Sequence, residues 1–173
     1  MTLYLEKDWL MSAEPVPVYD EYQQLVYLVA AKGASLRQRI KVLDAAGHVV
    51  LAQVKPGMSL FRTRKLLYDQ SKRIATVSQR LTSRNRVVYE VSGLKWRIKE
   101  DFGQRHYQIT DRADRLIAEI EKCWMFRAER FAVTLCCEDI DPVRVLAAFL
   151  AVDLSSAKNE LYQVAWDAPY SLE

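Results

Sequence analysis

The residue types that most often carry out catalysis are sparse in this sequence and lie at unproductive spacings. The two histidines, His48 and His106, have no paired acid at a recognisable spacing, and no G-x-S-x-G segment supplies a nucleophile. Cys136 and Cys137 are adjacent, so a bridge between them would be strained, and Cys123 has no evident partner. No C-x-x-C or Cys/His spacing indicates a metal site. We therefore predict surface histidines, reduced thiols, no catalytic residue, no metal and no cofactor, and a protein that is not an enzyme.

Four aspartates each lie between two apolar runs: Asp20, Asp44, Asp69 and Asp111. Repeated carboxylates can bind metal ions, but an aspartate in a tight turn also caps the local backbone N–H groups. The first three are 24 and 25 residues apart, a spacing that fits two short strands and their turns. We therefore predict that these residues cap hairpin turns.

Basic residues provide the best candidate site, because arginine presents a planar fork that matches phosphate. Arg37, Arg39 and Lys41 occupy alternate positions, as do Lys95, Arg97 and Lys99, so each set projects from one face of a strand. Arg80, Arg84 and Arg86 fall in intervening strands or loops. The predicted anion-binding residues are Arg37, Arg39, Lys41, Arg62, Arg64, Lys95, Arg97 and Lys99. An ordinary solvated protein surface is the alternative explanation for the same pattern.

The charge of the chain is unevenly distributed. Residues 32–100 hold 16 Lys/Arg and four acids, whereas the rest of the chain holds nine basic and 18 acidic residues. Such a basic region would attract an anionic partner, such as phospholipid headgroups or nucleic acid. Alternatively, basic strands lie beside acidic strands and are neutralised by them. The sequence slightly favours neutralisation.

The elements that must position these residues are strands. Apolar and charged residues alternate along Leu94–Lys99, and Phe131, Val133 and Leu135 alternate with smaller or polar residues. This period of two is typical of antiparallel sheet with one wet face. About twelve such runs are too many for a flat sheet, so a mainly β, closed antiparallel barrel is predicted. Trp96 and Trp124 are expected to pack against a helix inside it.

That helix follows the last strand. Asp141 suits the N-cap and Pro142 the first helical position, and the residues up to Leu154 are apolar on nearly every side. About thirteen residues span roughly 20 Å, short of the ~30 Å hydrocarbon core of a membrane. We predict a buried helix at about 142–154 within one barrel domain, residues 1–155, followed by a polar C-terminal tail, residues 156–173. The N-terminus lacks the pattern of a secretory signal.

Several stretches resemble the LURP-one-related family, which has the tubby C-terminal-like fold. Residues 93–102 resemble its G-x-x-W-x-(I/V)-x-G-D-F segment, with Glu100 where glycine is usual. Residues 107–111 and 116–124 resemble its next hairpin, although Cys123 separates a Lys-Trp pair. Residues 131–135 and 141–153 resemble its last strand and central helix. The resemblance covers roughly residues 2 to 155.

This resemblance implies a twelve-stranded barrel pierced by a C-terminal hydrophobic helix. It also implies links to phospholipid chemistry, because tubby-type relatives bind phosphoinositide headgroups and phospholipid scramblases have a similar fold. No headgroup-binding residue set can be transferred to this sequence. The first hypothesis is a cytoplasmic, non-enzymatic module, peripheral to a membrane, whose basic outer face binds anionic phospholipid or phosphoinositide headgroups. The second is a structural scaffold without a small-molecule ligand that binds an acidic protein. An enzyme or a nucleic-acid binder is least supported.

Overall fold

The computed structural model describes residues 1–32, 38–57, 64–81, 87–101 and 106–167. It shows the predicted architecture, a closed barrel of twelve antiparallel strands with one C-terminal helix. The elements are β1 (Thr2–Glu6), a 3-10 helix (Trp9–Met11), β2 (Val16–Tyr19), β3 (Leu25–Lys32), β4 (Arg39–Asp44), β5 (Val50–Gly57), β6 (Arg64–Asp69), β7 (Lys72–Leu81), β8 (Val87–Ser92), β9 (Trp96–Asp101), β10 (His106–Thr110), β11 (Leu116–Met125), β12 (Ala128–Leu135) and α1 (Pro142–Asp167).

The strands follow one another around the barrel in sequence order, and β1 pairs with β12 to close it. In three of the four predicted turns, the side chains of Asp20, Asp44 and Asp111 accept hydrogen bonds from backbone N–H groups two to five positions later. Asp69 differs, because its Oδ2 accepts a hydrogen bond from the Arg144 guanidinium at 2.9 Å. The β6–β7 turn is thereby tied to the first turn of α1.

The alternation of strand residues places an apolar face inside the barrel, against α1. Helix residues 145–152 are all buried. The Phe149 ring meets Tyr107 of β10 and Phe131 of β12 edge-on, with ring centroids 5.4 Å and 5.0 Å apart. Such aromatic pairs add to the stabilisation gained by removing the rings from water. The barrel therefore has a solid interior.

Helix α1 begins where predicted and ends later. The Asp141 side chain accepts a hydrogen bond from the backbone N–H of Val143 at 2.9 Å, which is N-cap geometry, and Pro142 is the first helical residue. The predicted end near Leu154 is corrected to Asp167. The helix continues because residues 155–167 contain neither glycine nor proline. Within the described chain, no helix is long and apolar enough to cross a membrane.

One carboxylate is buried between the helix and its wall. Asp153 of α1 is 1% exposed. Its Oδ2 accepts a hydrogen bond from the Trp9 indole at 3.0 Å, and its Oδ1 accepts one from the Tyr107 hydroxyl at 2.9 Å. These partners offset the cost of removing a carboxylate from water, and they fix one rotational setting of the helix.

The two tryptophans expected to pack against the helix differ. Trp96 is in the core, with 6% of its surface exposed, whereas Trp124 is 74% exposed, so the prediction for Trp124 is wrong. Trp124 lies opposite Glu129 near the end of the β11–β12 hairpin, and its side chain points to solvent. Alternation with charged neighbours does not reveal which face of a strand is inside.

These exposures yield a paired prediction. Phe149→Ala should lower the free energy of unfolding by about 3–5 kcal/mol, because it removes a fully buried ring and leaves a cavity. Trp124→Ala, the matched control, should change it by less than about 0.5 kcal/mol. Urea denaturation followed by circular dichroism measures both. Similar losses in the two variants would contradict the placement of the helix.

Candidate functional site

The basic segment of the sequence, residues 32–100, supplies strands on one side of the barrel. Because strand order follows sequence order, strands β3–β9 lie next to one another, and β10–β12 with β1 and β2 form the opposite side. Basic strands are therefore not interleaved with acidic ones, whereas the predicted neutralisation of the basic residues by acidic neighbours stays a prediction. A sheet built from successive hairpins keeps neighbours in sequence as neighbours in space, so segregated charge in the sequence becomes segregated charge on the surface.

On this basic side, the outer face of β5–β8 contains a shallow cavity of about 420 Å³. Three arginines from two strands, Arg64, Arg73 and Arg80, converge on it. Its remaining described lining is Gly57, Leu66, Thr76, Ser78, Glu90 and Ser92. Guanidinium groups beside hydroxyl groups offer several hydrogen-bond donors to an anion.

A second cavity, of about 320 Å³, adjoins the first on the side of β9. Its cations are Lys95 and Arg97 with Arg112 from the β10–β11 turn. Its other described lining residues are Glu90, Val91, Ser92 and Trp96. The two cavities share Glu90 and Ser92. We call them the first and second lobes, and together the basic groove.

Strand register sets the distance between the lobes. On the outer face, Arg64 lies opposite Ser78, Ser78 opposite Glu90, and Glu90 opposite Arg97. Three interstrand steps separate the backbones of Arg64 and Arg97 by roughly 14 Å. Flexible arginine side chains can shorten this distance where they converge on a ligand.

The cations of the groove are only partly neutralised. Arg80 pairs with Glu90 at 3.1 Å, and Arg97 lies 4.0 Å from Asp114. The Arg73 guanidinium donates a hydrogen bond to the Thr76 hydroxyl at 2.6 Å. Across the described residues, the other three cations, Arg64, Lys95 and Arg112, form no salt bridge. The groove therefore carries an excess of positive charge.

A buried cation on the opposite side of the barrel has its charge neutralised. Arg130 of β12 has a side chain only 7% exposed and lies 3.7 Å from Glu6. Its guanidinium also stacks over the rings of Tyr19 and Phe126, at 5.5 Å and 5.3 Å from their centroids. Arg130 therefore acts in packing.

The structure brings together part of the predicted set. Arg64, Lys95 and Arg97 line the basic groove. Lys95 lies in the β8–β9 turn, with φ +61°, so its predicted place within a strand is corrected. Arg39 and Lys41 of β4 and Lys99 of β9 are on the basic side of the barrel but outside the groove lining. The predictions for Arg37 and Arg62, and the mention of Arg84 and Arg86, fall outside the described residues.

The predicted anion-binding set lacks four charged residues of the groove: Arg73, Arg80, Glu90 and Arg112, of which the sequence indicates only Arg80, in an intervening strand or loop. Alternation within β7 could have indicated Arg80, which projects on the same face as Thr76 and Ser78. Arg73 is displaced by the register shift between Leu67 and Tyr68, which no spacing reveals. Arg112 reaches the groove from a turn outside the basic segment, and only the folded hairpin places it there.

Among the described residues, histidine, cysteine and acidic side chains form no cluster of the size of the groove. His106 Nε2 and Glu119 Oε1 are 2.8 Å apart on neighbouring strands, and Gln108 also donates to Glu119. These hydrogen bonds, first that from Gln108 and then that from His106, lower the pKa of Glu119. His48 is exposed, and the three cysteines are free thiols. In the described part of the chain, no group of three His, Cys, Asp or Glu side chains could hold a metal ion.

The turn that carries Arg112 is built around Asp111. The Asp111 carboxylate accepts hydrogen bonds from the backbone N–H groups of Ala113 and Arg115, at 2.8 Å and 3.0 Å. It also pairs with the Arg115 guanidinium at 3.1 Å. The Arg115 backbone N–H is the largest cause that holds the pKa of Asp111 below its ordinary value of 3.8.

A pH dependence follows from this lowered pKa. A carboxylate whose pKa is lower in the folded state stabilises that state above its unfolded pKa and stops doing so as pH falls through its folded pKa. Asp111→Asn should therefore be less stable than the wild type near neutral pH, and the difference should shrink below about pH 4. Urea denaturation across this pH range measures it. A stability difference between the two proteins that does not change with pH would contradict the lowered pKa of Asp111.

The turn that carries Lys95 depends on Gly93. Gly93 has φ +101°, and a Cβ added there would lie 2.2 Å from the backbone oxygen of Ile74. Gly93→Ala should therefore cost more than about 1 kcal/mol of stability. The control is Gly47→Ala, where φ is +75° but the nearest atom is the Leu28 side-chain Cδ1 at 3.3 Å. Thermal unfolding should show a larger loss for Gly93→Ala, and equal losses would exclude the backbone collision as its cause.

Comparisons with known proteins agree with this architecture. A family model described as LURP-one-related matches residues 1–153. A crystal structure of an Arabidopsis thaliana protein is similar, with a TM-score of 0.57 at 12% sequence identity, over 91% of each chain. At that identity the likeness concerns the fold alone. No curated protein matches the sequence.

Proposed function

Since the chain belongs to the LURP-one-related family, we propose that it is a non-enzymatic binding module that engages anionic phospholipid headgroups through the basic groove. The observation that carries this proposal is the composition of the groove. Its described lining holds six cations, three hydroxyl side chains and a single acid, Glu90. Several convergent guanidinium groups can bind a phosphate through paired hydrogen bonds.

The position of the groove supports a ligand held at a surface. Helix α1 fills the interior of the barrel, and Ala148, Phe149 and Val152 are fully buried there. The groove is open and lies on the outer face, where a headgroup can reach it while its acyl chains remain in the bilayer. The proposed protein is cytoplasmic and binds the membrane peripherally. Arg39, Lys41 and Lys99, on the same side, would add long-range attraction to an anionic surface.

Vesicle co-sedimentation tests the proposal. The wild type should bind vesicles that contain phosphatidylserine, and binding should weaken as salt rises because exposed charges are screened. The double variant Arg64→Glu with Arg97→Glu should bind at least about tenfold more weakly, since each basic residue near an anionic membrane contributes about 1 kcal/mol.

The matched control is Lys122→Glu with Arg127→Glu, which makes the same change in net charge on β11 and the β11–β12 turn. It should retain most of the binding. Equal wild-type binding to neutral and anionic vesicles at low salt would refute the proposal, as would equal losses in the two double variants. The alternative, a scaffold for an acidic protein, predicts no sedimentation of the wild type with either vesicle.

A further inference from the structure

Beyond the proposed function, we infer that the basic groove is a docking site for a second copy of this chain. The segment that docks is the turn between β2 and β3, residues 20–24, which we call the acidic turn. The carboxylates of Asp20 and Glu21 pair with arginines of the first lobe, and the ring of Tyr22 packs against a guanidinium group. Self-association therefore covers the groove and competes with any other anionic ligand for it.

The acidic turn presents an aromatic side chain in a fixed position. Tyr22 is 75% exposed, and Leu25 at the start of β3 is 40% exposed. Asp20 Oδ1 accepts hydrogen bonds from the backbone N–H groups of Tyr22 and Gln24, at 2.9 Å and 2.8 Å. A turn held in this way loses little conformational freedom when it binds. Covering its exposed ring removes apolar surface from water.

The two carboxylates of the acidic turn can each accept a further hydrogen bond. Glu21 Oε2 accepts one from the backbone N–H of Thr2 at 2.9 Å, and Asp20 uses Oδ1 within the turn. In the contacts of the described residues, Asp20 Oδ2 and Glu21 Oε1 accept none, and neither residue forms a salt bridge. Carboxylate oxygens accept charge-assisted hydrogen bonds from arginine.

The first lobe of the groove is complementary to this turn. Arg64, Arg73 and Arg80 line a cavity of about 420 Å³, a volume in the range of sites that hold small ligands. Flexible arginine side chains can converge on a carboxylate, and a guanidinium over an aromatic ring is a favourable contact. The acidic turn thus matches the lobe in charge and in the chemistry of its side chains.

The contact can form only between two chains. Strands β3 and β6 are three interstrand steps apart, roughly 14 Å. Because successive strands run in opposite directions, Arg64 at the start of β6 also lies towards the other end of the barrel from the acidic turn. The turn and the groove are different surfaces, so each docked copy leaves its own groove open to the next copy. Oligomers therefore grow with protein concentration.

Analytical ultracentrifugation tests this inference. At low salt, the average mass of the wild type should rise with protein concentration, and in about 1 M salt it should fall to that of one chain because exposed charges are screened. The turn variant, Glu21→Lys with Tyr22→Ser, should sediment as a single chain at concentrations where the wild type associates. The groove variant, Arg64→Glu with Arg73→Glu, should do the same. Circular dichroism checks that both variants are folded.

The matched control for the turn variant is Glu121→Lys with Trp124→Ser. It makes the same change in charge and removes an aromatic ring that is 74% exposed, but on β11. This control should associate as the wild type does. An equal loss of association in the control and the turn variant would overturn the inference, as would a wild type that stays a single chain at low salt.

A mixture of the two defective variants gives the sharpest test. The groove variant keeps an intact acidic turn, and the turn variant keeps an intact groove. An equimolar mixture should therefore form a complex of two chains and grow no further, because the remaining turn and the remaining groove are both defective. A folded mixture that contains only single chains would overturn the inference.

Vesicles that contain phosphatidylserine separate this inference from the proposed function. Dissociation of the wild-type oligomers by these vesicles, but not by neutral ones, would support a groove shared by both partners. Vesicle binding by a wild type that does not self-associate overturns the inference and leaves the proposed function intact. Self-association through the acidic turn without vesicle binding refutes the proposed function alone.

Discussion

The structure depends on the need to enclose a helix that is apolar on every side. Residues 145–152 of α1 have no face suited to water, so they require a continuous wall. An open sheet covers one side of such a helix, whereas a closed barrel covers all of it and also leaves no unpaired strand edge. The enclosed helix takes the volume in which other barrels hold a ligand. Any binding site is consequently left to the outer face or the ends of the barrel.

Because α1 is apolar on every side, apolar packing alone does not determine its rotation inside the barrel. Polar contacts at Arg144 and Asp153 do so. Arg144 contacts Asp69 at the start of α1, and Asp153, about two and a half turns further on, accepts hydrogen bonds from Trp9 and Tyr107. A rotation or one-turn slip of the helix would leave the Asp153 carboxylate buried without these donors. Burying the carboxylate without donors costs free energy, so these polar contacts favour one rotational and axial position of the helix in the barrel.

The sequence predicted the features that depend on local periodicity and not those that depend on pairs across the fold. Alternation indicated the barrel, and Asp141 with Pro142 located the start of the helix. The predicted helix end is too early because a change from apolar to polar composition does not end a helix where no helix-breaking residue stands. Arg64 and Arg97 were predicted separately, but their shared groove depends on two intervening strands. The Arg80–Glu90 pair and the donors to Asp153 are tertiary contacts without a local pattern.

The order of the elements also bears on how the chain folds. Most strand pairs join neighbours in sequence, so hairpins can form early and locally. The pairing of β1 with β12 joins residues that are far apart in the sequence, such as Leu5 and Phe131. The helix that fills the interior follows all twelve strands in the sequence. A growing chain therefore exposes apolar strand faces until the helix that follows the strands has been made. Closure of the barrel by the β1–β12 pair and insertion of the helix therefore become late, coupled steps of folding.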